Sequence, residues 1–104
     1  MPSKLMSYSS SLLGMGSMTH GGYLDRLYVH KDYQGLGVAT SIVFKLEEMA
    51  KNNGLDEMVT EASITAKPFF EKMGYVVVKE QQKDVRGIIL TNYVMKKKVI
   101  DRDI

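Results

Sequence analysis

The 104-residue sequence contains no cysteine. That excludes a disulfide framework, a thiolate nucleophile and a cysteine-ligated zinc site. Histidine is nearly absent as well: His20 and His30 stand alone, too few for a histidine-rich metal centre, so no metal is expected. Charge of one sign is also lacking. The formal net charge is +2 with the basic residues scattered, which argues against a nucleic-acid partner. The one basic run, Lys96-Lys97-Lys98, reads as a solvated strand end. No apolar stretch approaches the length of a membrane span, so no membrane partner is expected. The serine-rich first 18 residues lack the unbroken apolar segment of a secretory signal. A cytoplasmic setting is the resulting expectation.

What is present is ordinary for a globular protein: 44% hydrophobic and 25% charged residues, enough for one domain with a modest core. The eight methionines read as core filler. Residues 1–10 read as a flexible lead or the remnant of an upstream strand, 11–98 as the domain and 99–104 as a tail. Within the domain, 11–18 reads as a strand, joined through Gly21-Gly22 to an alternating strand at 23–29. That alternation puts Tyr23, Asp25, Leu27 and Val29 on one face. A helix is expected over about 37–53, with Ala39, Ile42, Val43, Leu46, Met49 and Ala50 as its apolar stripe and Gly54 as its stop. Phe44 falls off that stripe. A short strand at 57–62 leads to a helix in which Ala66, Phe69, Phe70 and Met73 share a face, capped by Ser63 or Thr65, with Pro68 in its first turn. Strands at 75–81 and 87–95 follow, joined by a polar turn region at 82–86. The order strand, strand, helix, strand, helix, strand, strand predicts an α/β fold with a mixed sheet.

The most informative stretch is Gln34-Gly35-Leu36-Gly37-Val38-Ala39, which follows one strand and opens the long helix. Glycines at such a junction let the backbone turn sharply and come close to a ligand. A helix start offers unpaired N–H groups and the positive end of a dipole, which suits a phosphate. Two glycines alone are equally the mark of a tight loop.

The wider segment from Tyr23 to Thr40 resembles the acetyl-CoA-binding motif of the GCN5-related N-acetyltransferases, whose Gln/Arg-x-x-Gly-x-Gly/Ala pattern is met by Gln34, Gly37 and Ala39. The block Glu61-Ala-Ser-Ile-Thr-Ala-Lys-Pro-Phe-Phe-Glu-Lys-Met-Gly-Tyr75 is similar to the family's second helix motif. Arg86-Gly-Ile-Ile-Leu-Thr-Asn92 resembles the ending of a bacterial branch that carries Phe-Phe in that motif. The resemblance covers roughly residues 12 to 97 and implies a partial acyl-CoA N-acyltransferase fold. Relatives begin with a strand, a pair of helices and another strand before the equivalent of Leu12. The donor-binding half is therefore expected here, and most of the acceptor-side elements are not.

By resemblance, main-chain groups of Gln34, Gly35, Leu36, Gly37, Val38, Ala39 and Thr40 hold the pyrophosphate of acetyl-CoA, the cosubstrate. The backbone of Leu27, Tyr28 and Val29, at a splayed strand end, pairs with the pantetheine arm. A backbone N–H near Leu27 or Tyr28 polarises the thioester carbonyl. Ser63 stands where an Asn often contacts the cofactor, and a helix-capping role is open to it as well. Phe70 takes the place of a Tyr that many relatives use as general acid. Having no proton to give, it reads as lining the pantetheine tunnel, with Phe69 in the core and Tyr28 as another candidate acid. Asp25 and Glu61 are the candidate general bases, each equally readable as a surface or paired carboxylate. His30 reads as a hydrogen-bonding loop residue.

Two functions follow as expectations. One is acetyl transfer from acetyl-CoA to a primary amine of a small molecule or protein. The other is a non-catalytic CoA-binding or assembly module derived from a truncated acetyltransferase. A chain that truly begins at Met1 favours the second. Sheet edges and apolar faces left uncovered by missing elements predict a homodimer, with Phe44 as one contact point.

Overall fold

A computed structural model describes residues 5–10, 13–34 and 37–100. The six strands are β1 (Leu5–Ser10), β2 (Gly14–Thr19), β3 (Tyr23–Val29), β4 (Glu57–Ser63), β5 (Val76–Val85) and β6 (Ile88–Lys98). The helices are α1 (Val38–Asn52) and α2 (Lys67–Lys72), with one 3-10 turn at Lys31–Tyr33. The strands form one mixed sheet in the order β1-β2-β3-β4-β6-β5. This is the predicted α/β class with one strand more, because Leu5–Ser10 pairs antiparallel with β2. The chain divides into two compact units, residues 1–58 with 98–104 and residues 59–97.

In the first unit β1, β2 and β3 form an antiparallel meander. β2 starts at Gly14, later than the expected residue 11; Ser11 and Leu12 lie outside the described residues. Gly16 sits opposite Leu27, and Gly14 opposite Val29. A Cβ on Gly16 would come within 2.8 Å of Ile42 Cγ2 and 2.9 Å of Leu46 Cδ1. The bare backbone of β2 is thus the floor on which α1 lies. Directly opposed residues share a face, so Leu27 and Val29 also face α1, and Arg26 and Tyr28 face away with Ser17 and Met15. The register shifts between Ser17 and Met18. That irregularity breaks the simple alternation expected of β3: the residue it buries is Leu24, outside the predicted Tyr23, Asp25, Leu27, Val29 face.

α1 buries Val38, Ile42, Val43, Leu46 and Ala50, close to the predicted stripe, and also Glu47, which the apolar pattern did not single out. Phe44 stays 52% exposed. The helix ends as its sequence requires. Leu55 N–H donates to Ala50 O and Gly54 N–H to Lys51 O, the paired bonds of a Schellman cap, while Asn53 Nδ2 donates to Met49 O.

In the second unit α2 packs Phe70 and Met73 inward. The N-cap of α2 is Ala66 and carries no side-chain cap, so neither predicted residue caps the helix; Ser63 Oγ instead accepts from Ala66 N–H at 3.1 Å in the turn before it. Lys67 Nζ lies 5.2 Å from the Tyr93 ring centroid, which sets α2 on the Tyr93 face of β6. β5 and β6 run longer than expected. Residues 82–85 are strand, and the turn shrinks to Arg86-Gly87, both at positive φ (54° and 83°) as a two-residue type I′ hairpin demands. Asp84 Oδ1 accepts from Gly87 N–H and locks it. The polar Gln82-Lys83-Asp84 segment looked like loop because of its polarity. On a ribbon exposed along most of its length, polar residues serve in a strand equally well.

Candidate active site

The first unit carries the predicted cofactor loop. It leaves the end of β3 anchored at its root: His30 N–H donates to Leu13 O at 2.7 Å. His30 Nδ1 then accepts from Asp32 N–H and its carbonyl from Tyr33 N–H, which winds the 3-10 turn. His30 is a loop hydrogen-bonder, as expected. Gln34 Nε2 reaches back to Val29 O at 3.4 Å, tying the first motif residue to the strand end predicted to meet the cofactor. Gly35 and Leu36 lie outside the described residues.

Gly37 is the N-cap of α1 with φ 78°, in the left-handed region where side chains are strained. No side chain caps the helix, and a Cβ on Gly37 would meet nothing within 4 Å. Glycine is thus required there by backbone conformation rather than by crowding. The Val38 side chain is buried, while Ala39 and Thr40 are half-buried.

The catalytic candidates on β3 are both solvated. Asp25 lies 3.8 Å from Arg26 Nε in an exposed pair. Tyr28 is 56% exposed on the face turned away from α1. Among the described residues of the first unit, the partner of Asp25 is its exposed neighbour Arg26.

Glu61, on β4 in the second unit, is different. Its Oε1 accepts from Lys83 Nζ at 2.8 Å and from Asn92 Nδ2 at 3.2 Å, and its side chain is 29% exposed. The carboxylate is held from two strands. Neither Lys83 nor Asn92 was predicted as a site residue; the only signal was Asn92 at the end of the third motif. Phe69, expected in the core, is less buried than Phe70. Phe70 is 4% exposed, packed edge-to-face on Phe69 (5.0 Å) and Tyr75 (5.2 Å), whereas Phe69 is half-buried. Phe70 thus packs inside this unit against two aromatic rings. Ser63 spends its hydroxyl on the turn before α2.

These features meet a family. Residues 3–97 match the model described as "Acetyltransferase (GNAT) domain". The chain is 41% identical over 76 residues to the uncharacterized N-acetyltransferase YafP of Escherichia coli (strain K12), covering 73% of this chain and 47% of that protein. The GCN5-related N-acetyltransferase from Rhodopseudomonas palustris superposes with a TM-score of 0.79 at 31% identity, over 90% of this chain and 61% of that one. An aminoglycoside 6'-N-acetyltransferase complexed with coenzyme A shares the fold at a TM-score of 0.78 and 18% identity, over 95% and 75% of the two chains. The chain belongs to the GNAT acetyltransferase family. It spans about half the length of the curated relatives it matches.

Proposed function

We propose that this chain binds acetyl-CoA through the 34–40 segment and takes part in acetyl transfer to a primary amine. The observation that carries the reading is the start of α1, entered through Gly37 at φ 78° with no side-chain cap among the described residues. A pyrophosphate suits that place because the helix dipole and the unpaired N–H groups of the first turn are preorganised for negative charge. Acetyl-CoA, when bound, supplies an activated thioester.

The remaining chemistry falls to side chains. An alkylammonium must lose a proton before its nitrogen can attack, and Glu61 is the carboxylate best held to take it. Phe70 cannot protonate a departing thiolate, so either Tyr28 does so or the thiolate leaves unaided. The acceptor is a small molecule or a protein amino group. No helix among the described residues is long and apolar enough to cross a membrane, and a cytoplasmic setting is part of the proposal.

The test is calorimetric titration with CoA. Gly37→Val forces a β-branched residue to positive φ and should weaken CoA by about tenfold, or about 1.4 kcal/mol. Unchanged affinity in a folded variant removes the 34–40 segment from the cofactor site. Acetyl-CoA turnover with simple amines, compared with Glu61→Gln, then separates a transferase from a module that only binds CoA.

Self-association belongs to the same proposal. Val76, Val78, Ile88, Ile89 and Leu90 are all more than half exposed on the β5–β6 ribbon, as is Phe44 on α1. Light scattering at micromolar concentration is expected to give the mass of a dimer; a monomer that unfolds cooperatively rejects this part.

A further inference from the structure

Glu61 is held at one oxygen by both strands of the ribbon. Lys83 Nζ on β5 donates to Oε1 at 2.8 Å, and Asn92 Nδ2 on β6 donates to it at 3.2 Å. The two bonds differ in kind. The ion pair is partly solvated, with the Lys83 side chain 51% exposed, and a pair in that setting adds little to stability. What the ammonium supplies is charge beside the carboxylate, which favours the ionised form. Lys79 on β5 and Lys96 on β6 stand further along the same face, and strand alternation on β4 puts Glu57 on the Glu61 side.

Asn92 carries a cost. A carboxylate oxygen can only accept, so the amide turns its NH2 end to Glu61 and its Oδ1 away. Oδ1 is buried there with no protein donor among the described residues. Gln81, directly opposed to Asn92 across the ribbon, satisfies nothing: its own Oε1 is buried and unpartnered as well. Native proteins carry few such acceptors, and leucine, close to asparagine in shape, would remove this one. Stability therefore does not account for an asparagine at this position. Orientation of Glu61 does.

We propose that Asn92 is a positioning residue for Glu61, kept at a cost in stability, and that Lys83 is the cation that keeps the same carboxylate ionised. The purpose of the arrangement rests on the reading of Glu61 as the proton acceptor. A base must be charged and aimed before the amine arrives, and a carboxylate gripped from two strands is both. Asn92 and Lys83 act through Glu61, one by direction and the other by charge.

The ionisation of Glu61 is read from its side-chain carboxyl carbon signal by NMR across a pH series of the full chain, and stability from the urea midpoint. Lys83→Met should move the Glu61 titration to higher pH by about one pH unit, the lower end of what an adjacent opposite charge supplies. Lys83→Arg should restore it, and neither change should move the urea midpoint appreciably. Asn92→Leu should also raise the titration, having lost a donor to the charged form, while the urea midpoint stays level or rises. Asn92→Asp, the second variant should leucine disturb the ribbon, sets a like charge beside Glu61 and should raise the titration further. A lower urea midpoint in Asn92→Leu with an unmoved Glu61 titration makes Asn92 a structural residue and overturns the proposal. So does a Glu61 titration indifferent to Lys83→Met. Turnover of acetyl-CoA with n-butylamine tests the underlying reading separately. Turnover that survives Glu61→Gln removes Glu61 as the base, and with it the purpose, while the titrations still report whether Asn92 and Lys83 hold the carboxylate. Turnover lost in Glu61→Gln, and lowered in kcat but not in KM for acetyl-CoA by Asn92→Leu, supports both.

Discussion

Gly14→Ala is expected to cost about 3 kcal/mol of stability, and Gly16→Ala about 1 kcal/mol, although both add a single methyl to the same strand. The difference lies in what each methyl meets. At Gly14 the new Cβ runs into the backbone carbonyl oxygen of Tyr28, and Ile42 Cδ1 stands 3.0 Å away. A carbonyl held in the β2–β3 ladder cannot turn aside without breaking the pairing of Gly14 with Val29. At Gly16 the nearest atoms are the ends of the Ile42 and Leu46 side chains, at 2.8 and 2.9 Å. Those side chains can change rotamer or lift α1 slightly. For a domain of this size about 3 kcal/mol is a large share of a total of roughly 5–15 kcal/mol. Urea unfolding followed by circular dichroism measures both, and an unchanged slope shows that the native state is what changed. Equal losses at the two positions would mean that β2 and β3 yield as readily as side chains do, and that α1 is not seated on a fixed floor.

The same two glycines mark how far the sequence could be read. In sequence they are only small residues within a strand, because a glycine that admits a helix looks no different there from one that merely weakens a strand. α1 was legible almost to the residue, since a 3.6-residue apolar stripe and a terminal glycine are strong local signals. Its buried Glu47 was not, because periodicity argues from apolar residues alone. The β5–β6 ribbon shows the opposite weakness. A strand exposed along most of its length has no buried stripe to betray it, so Gln82, Lys83 and Asp84 passed for a loop.

Legibility of the site followed the same division. The left-handed backbone of Gly37 can be anticipated in sequence, because positive φ at a helix start is a demand that glycine meets best. Side-chain constellations assembled across strands cannot. In sequence Glu61 stands only slightly ahead of Asp25, by its place directly before the second motif; what sets it apart is that Lys83, 22 residues away, and Asn92, 31 residues away, hold it. Asp25 and Glu61 are both carboxylates on strands inside a family motif. What separates them is that one lies in a loose pair with its exposed neighbour and the other is clasped from two strands.

Phe70→Ala is expected to be the most damaging single change in the second unit, at about 3–5 kcal/mol. The residue is almost wholly buried, and its ring makes edge-to-face contacts with both Phe69 and Tyr75. Such contacts add about 0.5–1.5 kcal/mol each beyond area burial. Truncation also leaves a cavity under a helix of only six residues, which has little internal stability to draw on. Phe69→Ala should cost clearly less, since Phe69 is half-buried and its loss leaves the Phe70–Tyr75 contact standing. The order of the two losses, read from thermal or urea unfolding, tests which ring carries the packing of this unit: a greater loss at Phe69 would favour a ligand-lining position for Phe70. Phe70→Tyr isolates the chemistry. A hydroxyl pushed into this packing without a partner costs about 1–3 kcal/mol, so modest destabilisation is expected. Turnover per folded molecule, with the variant assayed well below its unfolding midpoint, should change modestly or rise. A severe loss of turnover with CoA affinity intact would mean that the Phe70 ring faces the acceptor, and that its burial reflects a tight pocket and not a core.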